Sequence, residues 1–293
     1  MLRETAAPDS VNGRELTVDL GRFGIWRHED GLSPEYAQEI ERAGFGTVWI
    51  GANPKGDLAL PEAMIAATDR LIVATGIINL WTVGAAEVAE SYHRIARRFP
   101  GRFVLGIGIG HPETDREYAS PYQTMVDYLD VLDRAGVPPD RRVLAALGPR
   151  VLRLAAARTA GAIPYLTTPQ HTLQARELIG PKPLIATEQM VVLDTDVERA
   201  RALGRQRVAD PYLRLTNYIS NLKRLGWSDA DLVPDGSDAL IDALVVHGDA
   251  KNVAAGLVAH LDAGANHVCA QILADDNDYL PALRSLGEAL GTL

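Results

Sequence analysis

The sequence predicts an α/β protein, a (β/α)8 TIM barrel that forms a single domain over residues 1–293. Eight short apolar, β-branched segments recur along the chain, and amphipathic helical stretches separate them. The segments are apolar throughout, which is typical of parallel strands covered by helices on both faces. A length of 293 residues is also the usual size of a single barrel of this kind.

The predicted strands alternate with predicted helices in chain order. The strands are residues 23–26, 47–50, 71–78, 103–108, 143–147, 162–166, 183–186 continuing through 191–193, and 267–273. The helices are residues 34–43, 60–68, 85–98, 124–135, 149–160, 169–179 and 281–290. Ser33 is a natural cap for the first helix, and Gly44, Gly136 and Gly161 end helices in the usual way. Residues 196–246 are too many for one crossover, so we expect a helical insertion between the seventh and eighth strands.

Composition excludes several classes of protein. Asp and Glu total 38 against 29 Lys and Arg, and this net charge of -9 argues against a nucleic-acid binder. No run approaches the ~18 apolar residues of a membrane span, and residues 1–15 lack the apolar core of a secretory signal. The single cysteine, Cys269, excludes an internal disulfide and a CxxC zinc site. We therefore expect a cytoplasmic protein without a metal centre.

Two glycine-rich segments resemble nucleotide motifs but do not satisfy them. Residues 106–110 (GIGIG) have GxGxG spacing and are followed by His111-Pro112, not by the start of a helix. Residues 51–57 have the two glycines of a P-loop, but Asp57 stands where a lysine is required. The doubly wound dinucleotide fold, which is the alternative to a barrel, is disfavoured because the first strand is not followed by a glycine fingerprint.

Catalytic groups of a barrel gather at the carboxyl ends of its strands. Few carboxylates converge there and no nucleophile–base pair is evident, which favours a site that holds a coenzyme. The strand ends nominate Arg27, His28, Gly51, Ala52, Asn53, Asn79, Leu80, Trp81, Gly110, His111, Glu113, Gly148, Pro149, Arg150, Thr167, Thr168, Glu188, Gln189, Asp275 and Asp276.

Gly148-Pro149 predicts a helix start whose free N–H groups attract an anion such as a phosphate. The alternative is an ordinary tight turn with a helix-starting proline. Thr167 and Thr168 offer hydroxyls at the next strand end, or cap the helix that begins at Pro169.

The alternating Gly106, Gly108 and Gly110 leave space on one face of the fourth strand. That space suits a planar ring or another stretch of backbone, or it reflects a tapering barrel core. His111 then lies at the mouth, where an acid–base role competes with a plain surface position. Trp81 follows a strand end and is a candidate wall for a ring pocket.

The segments 74–81 (ATGIINLW), 100–111 (PGRFVLGIGIGH) and 146–150 (ALGPR) resemble the luciferase-like monooxygenase superfamily. Within it they resemble the branch that uses the deazaflavin coenzyme F420. Segments 161–169, 188–193 and 261–268 strengthen the resemblance, which extends from about Phe23 to Leu273.

The resemblance implies a barrel with an insertion and a flavin or deazaflavin at its mouth. It implies a bulge with a non-prolyl cis peptide, Gly76–Ile77 or Ile77–Ile78, behind the coenzyme ring, and it suggests a homodimer. The implied coenzyme contacts are Asn53, Gly76, Ile77, Ile78, Asn79, Gly108, Gly110, Leu147, Gly148, Pro149, Thr167 and Thr168. The sugar-phosphate dehydrogenases of the superfamily carry an Asp-His pair at the positions of Ala52-Asn53 and a Glu at the position of His111. This sequence lacks that pattern, so a sugar-phosphate substrate is disfavoured.

The sequence thus predicts an F420-dependent oxidoreductase that moves a hydride between the deazaflavin and a small organic substrate, with His111 transferring a proton. The first alternative is an FMN-dependent monooxygenase, because both coenzymes share the ring system. The second is a non-catalytic deazaflavin-binding protein, suggested by Ala52-Asn53. An unrelated hydrolase barrel is weakened by the lack of converging carboxylates or metal ligands.

Overall fold

A computed structural model describes residues 15–52, 54–110 and 121–292, and in this part of the chain eight parallel strands close into a barrel. The barrel predicted from the sequence is therefore confirmed. The strands are β1 (Phe23–His28), β2 (Thr47–Gly51), β3 (Ile72–Thr75), β4 (Ile78–Asn79), β5 (Phe103–Gly108), β6 (Arg142–Ala145), β7 (Gly161–Ile163), β8 (Leu184–Val192), β9 (Val245–His247) and β10 (His267–Ile272). The short β4 and β9 pair outside the closed ring, with β5 and β8.

Helices connect the strands and cover the outside of the barrel. They are α1 (Pro34–Arg42), α2 (Ala59–Ala66), α3 (Ala85–Arg98), α4 (Pro121–Arg134), α5 (Pro149–Arg158), α6 (Pro169–Ile179), α7 (Val197–Ala209), α8 (Thr216–Arg224), α9 (Asp238–Leu244), α10 (Ala250–Asp262) and α11 (Asp276–Leu290). Short 3-10 turns lie at residues 29–31, 139–141 and 212–214.

The ring closes because the last barrel strand pairs on both sides. The order is β1-β2-β3-β5-β6-β7-β8-β10, and β10 pairs with β8 at His267↔Ala186 and with β1 at Phe23↔Val268. All of these pairings are parallel, so the carboxyl ends of the strands meet at one mouth.

Successive strand residues face opposite sides of the barrel wall. Trp49, Ala74, Val104 and Cys269 are buried with the inner layer, and their chain neighbours belong to the larger core between strands and helices. Trp49 is fully buried, and its Nε1 donates to His267 Nε2 at 3.0 Å. Trp49 is therefore part of the barrel core.

The predicted insertion is present between β8 and β10. It contains α7, α8 and α9, and it has its own buried cluster that packs on the barrel through Leu166, Met190 and Val192. The sequence did not predict β9, which lengthens the sheet at the end of β8, where Met190 pairs with Val245. In the described ranges no helix is both long and apolar enough to cross a membrane.

Candidate active site

A cavity of about 820 Å³ lies at the carboxyl ends of the barrel strands. This is within the range of small-molecule sites, roughly 300–1,000 Å³. One side is formed by residues at or just after the carboxyl ends of β1, β2, β3, β5, β6 and β7 and by the start of α4, and the other side by the insertion.

About half of the predicted coenzyme contacts lie on this wall. Those that line the cavity are Gly76, Ile77, Asn79, Gly110, Leu147 and Gly148. Those that lie behind the wall or beside it are Ile78, Gly108, Pro149, Thr167 and Thr168. Asn53 and His111 lie outside the described residues. Trp81 does not line the cavity, and Trp26 does.

The cavity floor includes a bulge between β3 and β4, which we call the backbone shelf (Gly76–Asn79). Ala74 pairs with Val104, and Ile78 pairs with Ile107. The chain therefore advances four residues from β3 to β4 while β5 advances three, so one extra residue is accommodated opposite β5. The Gly76 N–H donates to the Ile50 carbonyl at 2.8 Å. Such a one-residue bulge turns the chain toward the cavity while the sheet continues.

The predicted cis peptide at the backbone shelf is wrong. Gly76–Ile77 and Ile77–Ile78 are trans, and the cis bond among the described residues is Asp210–Pro211. The bulge provides the physical reason, because one extra residue is enough to carry the chain from β3 to β4 with trans bonds.

The glycines of β5 make room for neighbouring protein groups. A Cβ at Gly106 would lie 1.8 Å from the Thr75 carbonyl oxygen, so this position serves a close approach of backbone. A Cβ at Gly108 would lie 2.8 Å from both Ile77 Cδ1 and Ala145 Cβ. The expected space for a ring is therefore filled at Gly106 and Gly108, and of the three glycines only Gly110 reaches the cavity.

The predicted anion site lies at the start of α5. Gly148 caps this helix in an extended conformation and has no side chain to accept the first N–H groups. Arg150 lies over the Tyr122 ring at 3.7 Å, and among the described residues a Cβ at Gly148 would meet Arg224 Nη2, at 3.6 Å. A helix N-terminus with two nearby guanidinium groups attracts an anion.

His171 fixes the backbone next to this anion site. Its Nε2 lies 2.9 Å from the Leu147 carbonyl oxygen. Burial lowers the pKa of His171, and Arg224 lowers it further, so a neutral ring donates its Nε2–H to that oxygen. This bond anchors the main chain directly before Gly148.

Thr167 and Thr168 are buried behind the cavity wall. The Thr167 and Thr187 hydroxyl oxygens lie 3.1 Å apart, so Thr167 already has a partner. Thr168 precedes α6 without a capping hydrogen bond from its side chain, and its buried hydroxyl has no partner within the described ranges. The alternative role of Thr168, a side-chain cap of α6, is therefore not seen, and its role as a phosphate contact stays a prediction.

Four aromatic side chains form a cluster on the cavity wall that sequence reasoning missed. Ring centroids of Trp26 and Tyr165, and of Tyr165 and Tyr212, are 5.2 Å apart, and those of Tyr212 and Tyr218 are 5.0 Å apart. The Tyr212 hydroxyl donates to the Tyr165 hydroxyl at 3.0 Å, which donates to Gln271 Oε1 at 2.9 Å. These bonds fix the orientation of the Tyr165 and Tyr212 rings.

Arg207, on α7, lies on the insertion side of the cavity and was also missed. Its Cζ is 6.0 Å from the Tyr212 ring centroid. In the described ranges its Nε is buried without a hydrogen-bond partner and its guanidinium has no ion pair. Among the described residues the wall thus has a positive charge without an ion pair beside the aromatic cluster, where Tyr165 is a hydrogen-bond neighbour of Arg207.

Glu188 is fully buried in β8, beneath the aromatic cluster, and not at a strand end as predicted. Its Oε2 accepts the Leu166 N–H at 3.0 Å, while Oε1 has no partner in the described part of the protein. Burial raises its pKa to about 8, so the carboxyl is protonated and neutral at pH 7.

We expect Glu188→Gln to remove a pH dependence of stability. The pKa of the Glu188 carboxyl is about 8 in the folded protein and 4.5 in an unfolded chain. As pH rises, the unfolded chain therefore loses the Glu188 proton before the folded protein does. Wild-type stability should therefore fall between about pH 5 and pH 8, by roughly 1 kcal/mol for each pH unit. The neutral amide does not titrate, so the variant should match the wild type near pH 5 and exceed it at pH 8.

Urea unfolding of both proteins at several pH values measures this difference, with the exposed Glu288→Gln as a surface control. Parallel curves for wild type and Glu188→Gln would show that the buried carboxyl is ionised in the folded protein.

The comparisons with known proteins agree with this architecture. Residues 33–136 match the family model described as luciferase-like monooxygenase, which confirms the resemblance seen in the sequence motifs. A comparison with curated proteins gave no match.

Solved structures share the fold across nearly the whole chain. An F420-dependent secondary alcohol dehydrogenase in complex with an F420-acetone adduct is 16% identical with a TM-score of 0.73, and the match covers 92% of this chain and 98% of that one. The coenzyme F420-dependent tetrahydromethanopterin reductase from Methanopyrus kandleri is 16% identical, with a TM-score of 0.64 over 92% and 98% of the two chains. The oxygenating constituent of 3,6-diketocamphane monooxygenase from Pseudomonas putida, in complex with FMN, is 14% identical, with a TM-score of 0.68 over 92% and 97%.

Proposed function

We propose that this protein is an oxidoreductase that binds coenzyme F420 in the cavity and exchanges a hydride with a small organic substrate. One observation carries the proposal: a single cavity joins the backbone shelf to the anion site at Gly148. A flat ring with a phosphate-bearing tail has the two features that this arrangement complements. The F420-dependent proteins of the same fold support this choice of coenzyme.

The residues at the backbone shelf fit a planar ring. Gly76 presents main chain to the cavity, because a Cβ there would come within 3.2 Å of Trp26 Nε1 and the Ile50 carbonyl. Ile77 and Tyr165 add apolar and aromatic surface. When bound, the coenzyme supplies the hydride chemistry, and the protein supplies binding, orientation and proton transfer.

Each part of the wall has a task in this scheme. The Gly148 N–H, Arg150 and Arg224 bind the phosphate of the coenzyme, and His171 anchors the main chain directly before Gly148. His111, which follows the fourth predicted strand, is proposed to exchange the proton that accompanies hydride transfer.

An FMN-dependent monooxygenase is the second candidate, because the shelf and the anion site would also accept the ring and phosphate of FMN. The FMN complex of the same fold supports it. Titrating the protein separately with F420 and with FMN, and following quenching of fluorescence, distinguishes the two. We expect tighter binding of F420; tighter binding of FMN would favour the monooxygenase.

Two further outcomes of the titration bear on the proposal. Binding of neither coenzyme would overturn it. Binding of F420 without its reduction by any candidate donor, or its oxidation by any acceptor, would favour a coenzyme-binding protein without turnover, which is the interpretation that Ala52-Asn53 suggested.

We expect Gly148→Asp to weaken coenzyme binding without destabilising the fold. A carboxylate at this position repels a phosphate and pairs with Arg224, so affinity should fall roughly 10- to 100-fold. Aspartate is a preferred residue at a helix N-cap, so the free energy of unfolding should not decrease. Coenzyme titration and urea unfolding of the same variant measure both effects.

Gly148→Ala is the matched control for this variant. Its Cβ would make one ordinary contact, with Arg224 Nη2 at 3.6 Å, and adds no charge. The alanine variant should bind coenzyme nearly as well as the wild type. If the aspartate variant also did so, the phosphate would lie elsewhere.

A further inference from the structure

The insertion side of the cavity combines a positive charge with flat aromatic walls. Arg207 and Arg150 are the arginines of the described wall, and no described carboxylate lines it, although the chain as a whole carries a net charge of -9. Arg150 belongs with the anion site at Gly148. Arg207 comes from a different element, α7, and is left for another ligand group.

The surroundings of Arg207 do not neutralise it. Its Nε is buried without a partner in the part of the chain described, and it forms no ion pair there. The buried carboxyl nearest in the network, Glu188, is bonded to the Leu166 N–H and is neutral at pH 7. Arg207 is half-buried, and a partly desolvated charge without an ion pair is stabilised by a bound anion.

The rings beside Arg207 select for shape. Tyr165, Tyr212 and Tyr218 lie at 50–75° to one another, so a planar ligand can meet one ring edge-to-face and another in an offset stack. The Tyr212 hydroxyl already donates its hydrogen to Tyr165, so it offers no proton to the ligand. Arg207 supplies the positive charge beside these rings, and its guanidinium is the group that we expect to bind an anion.

We propose that Arg207 and the tyrosine rings form a substrate-anion subsite, and that the substrate is a small planar aromatic carboxylate. The guanidinium would pair with the carboxylate while the ring lies among the tyrosines. This inference rests on the proposed function, because it assigns the substrate of the same cavity. It leaves the backbone shelf and the Gly148 end to the coenzyme.

The test compares benzoate with benzamide, which has nearly the same shape and no charge. Both are titrated calorimetrically into the coenzyme-free protein. We expect benzoate to bind at least about tenfold more tightly than benzamide. Equal binding of the two, or binding of neither, would overturn the proposal without any variant being made.

Arg207→Gln then locates the effect. This variant should lose the preference for benzoate over benzamide, while its affinity for benzamide and for F420 or FMN stays unchanged. Arg207→Lys should retain part of the preference, because lysine keeps the positive charge. Arg214→Gln, in the same insertion but exposed and outside the wall, is the matched control and should behave as the wild type. If Arg207→Gln kept the preference, the carboxylate would bind elsewhere and the proposal would fail.

The coenzyme titrations separate the two sources of a negative charge. If Arg207→Gln weakened coenzyme binding and left benzoate unaffected, Arg207 would bind the anionic tail of the coenzyme, which would overturn the subsite. A preference for benzoate in a protein that binds neither F420 nor FMN would instead refute the proposed function and leave the subsite standing.

Discussion

Gly106→Ala is expected to destabilise the protein by about 3 kcal/mol or more and to weaken coenzyme binding. The added Cβ would lie 1.8 Å from the Thr75 carbonyl oxygen and 3.2 Å from the Gly76 carbonyl oxygen. Both atoms belong to backbone, so they cannot move aside as a flexible side chain would. The strain falls directly on the backbone shelf. Urea unfolding and coenzyme titration measure the two effects.

Gly84→Ala is the control for this change. A Cβ at Gly84 meets nothing within 4 Å, and its φ of -70° suits any residue. We expect a loss of less than about 1 kcal/mol, which reflects a poorer helix cap. If Gly106→Ala lowered the free energy of unfolding as little as Gly84→Ala, β5 would not be in close contact with the backbone shelf.

His111→Ala is expected to reduce turnover by about 10²- to 10⁴-fold, the usual contribution of a general acid or base. The affinity for coenzyme should change little, because the proton-transfer group does not bind the ring or the phosphate. Steady-state kinetics and coenzyme titration of one preparation measure both quantities.

His93→Ala provides the comparison, since His93 is a half-buried histidine on α3 that is not part of the cavity wall. It should retain wild-type turnover. Unchanged turnover in His111→Ala would remove His111 from the mechanism, and the proton would then have to pass through another group.

The barrel could be predicted because its signals are local. Apolar strand segments and glycine or proline helix boundaries determine the element order, and seven of the eight predicted strands are single barrel strands. The third predicted strand, 71–78, is split into β3 and β4 because its register against β5 gains one residue. That register depends on a partner strand distant in sequence, and no local pattern records it.

The residues that line the cavity could be predicted where they lie at the carboxyl ends of barrel strands. Gly76, Asn79, Gly110 and Gly148 line the cavity because every strand of a parallel barrel ends at the same mouth. Gly108 shows where this reasoning ends: a missing side chain signals a close neighbour, and the sequence alone does not show whether that neighbour is a ligand or Ala145.

The insertion side was not predictable. Arg207, Tyr212 and Tyr218 reach the cavity through the packing of α7, α8 and the turn between them. That packing is set by non-local contacts with Leu166 and Met190, which periodicity does not reveal. Residues of this side therefore had to be found from the structure.

A crystal structure of the protein with bound F420 would be the decisive experiment for the proposed coenzyme site. We expect electron density for the tricyclic ring in van der Waals contact with Gly76–Asn79 and density for the phosphate at the Gly148 N–H. Coenzyme density at any other place on the barrel, with this cavity left to solvent, would contradict it.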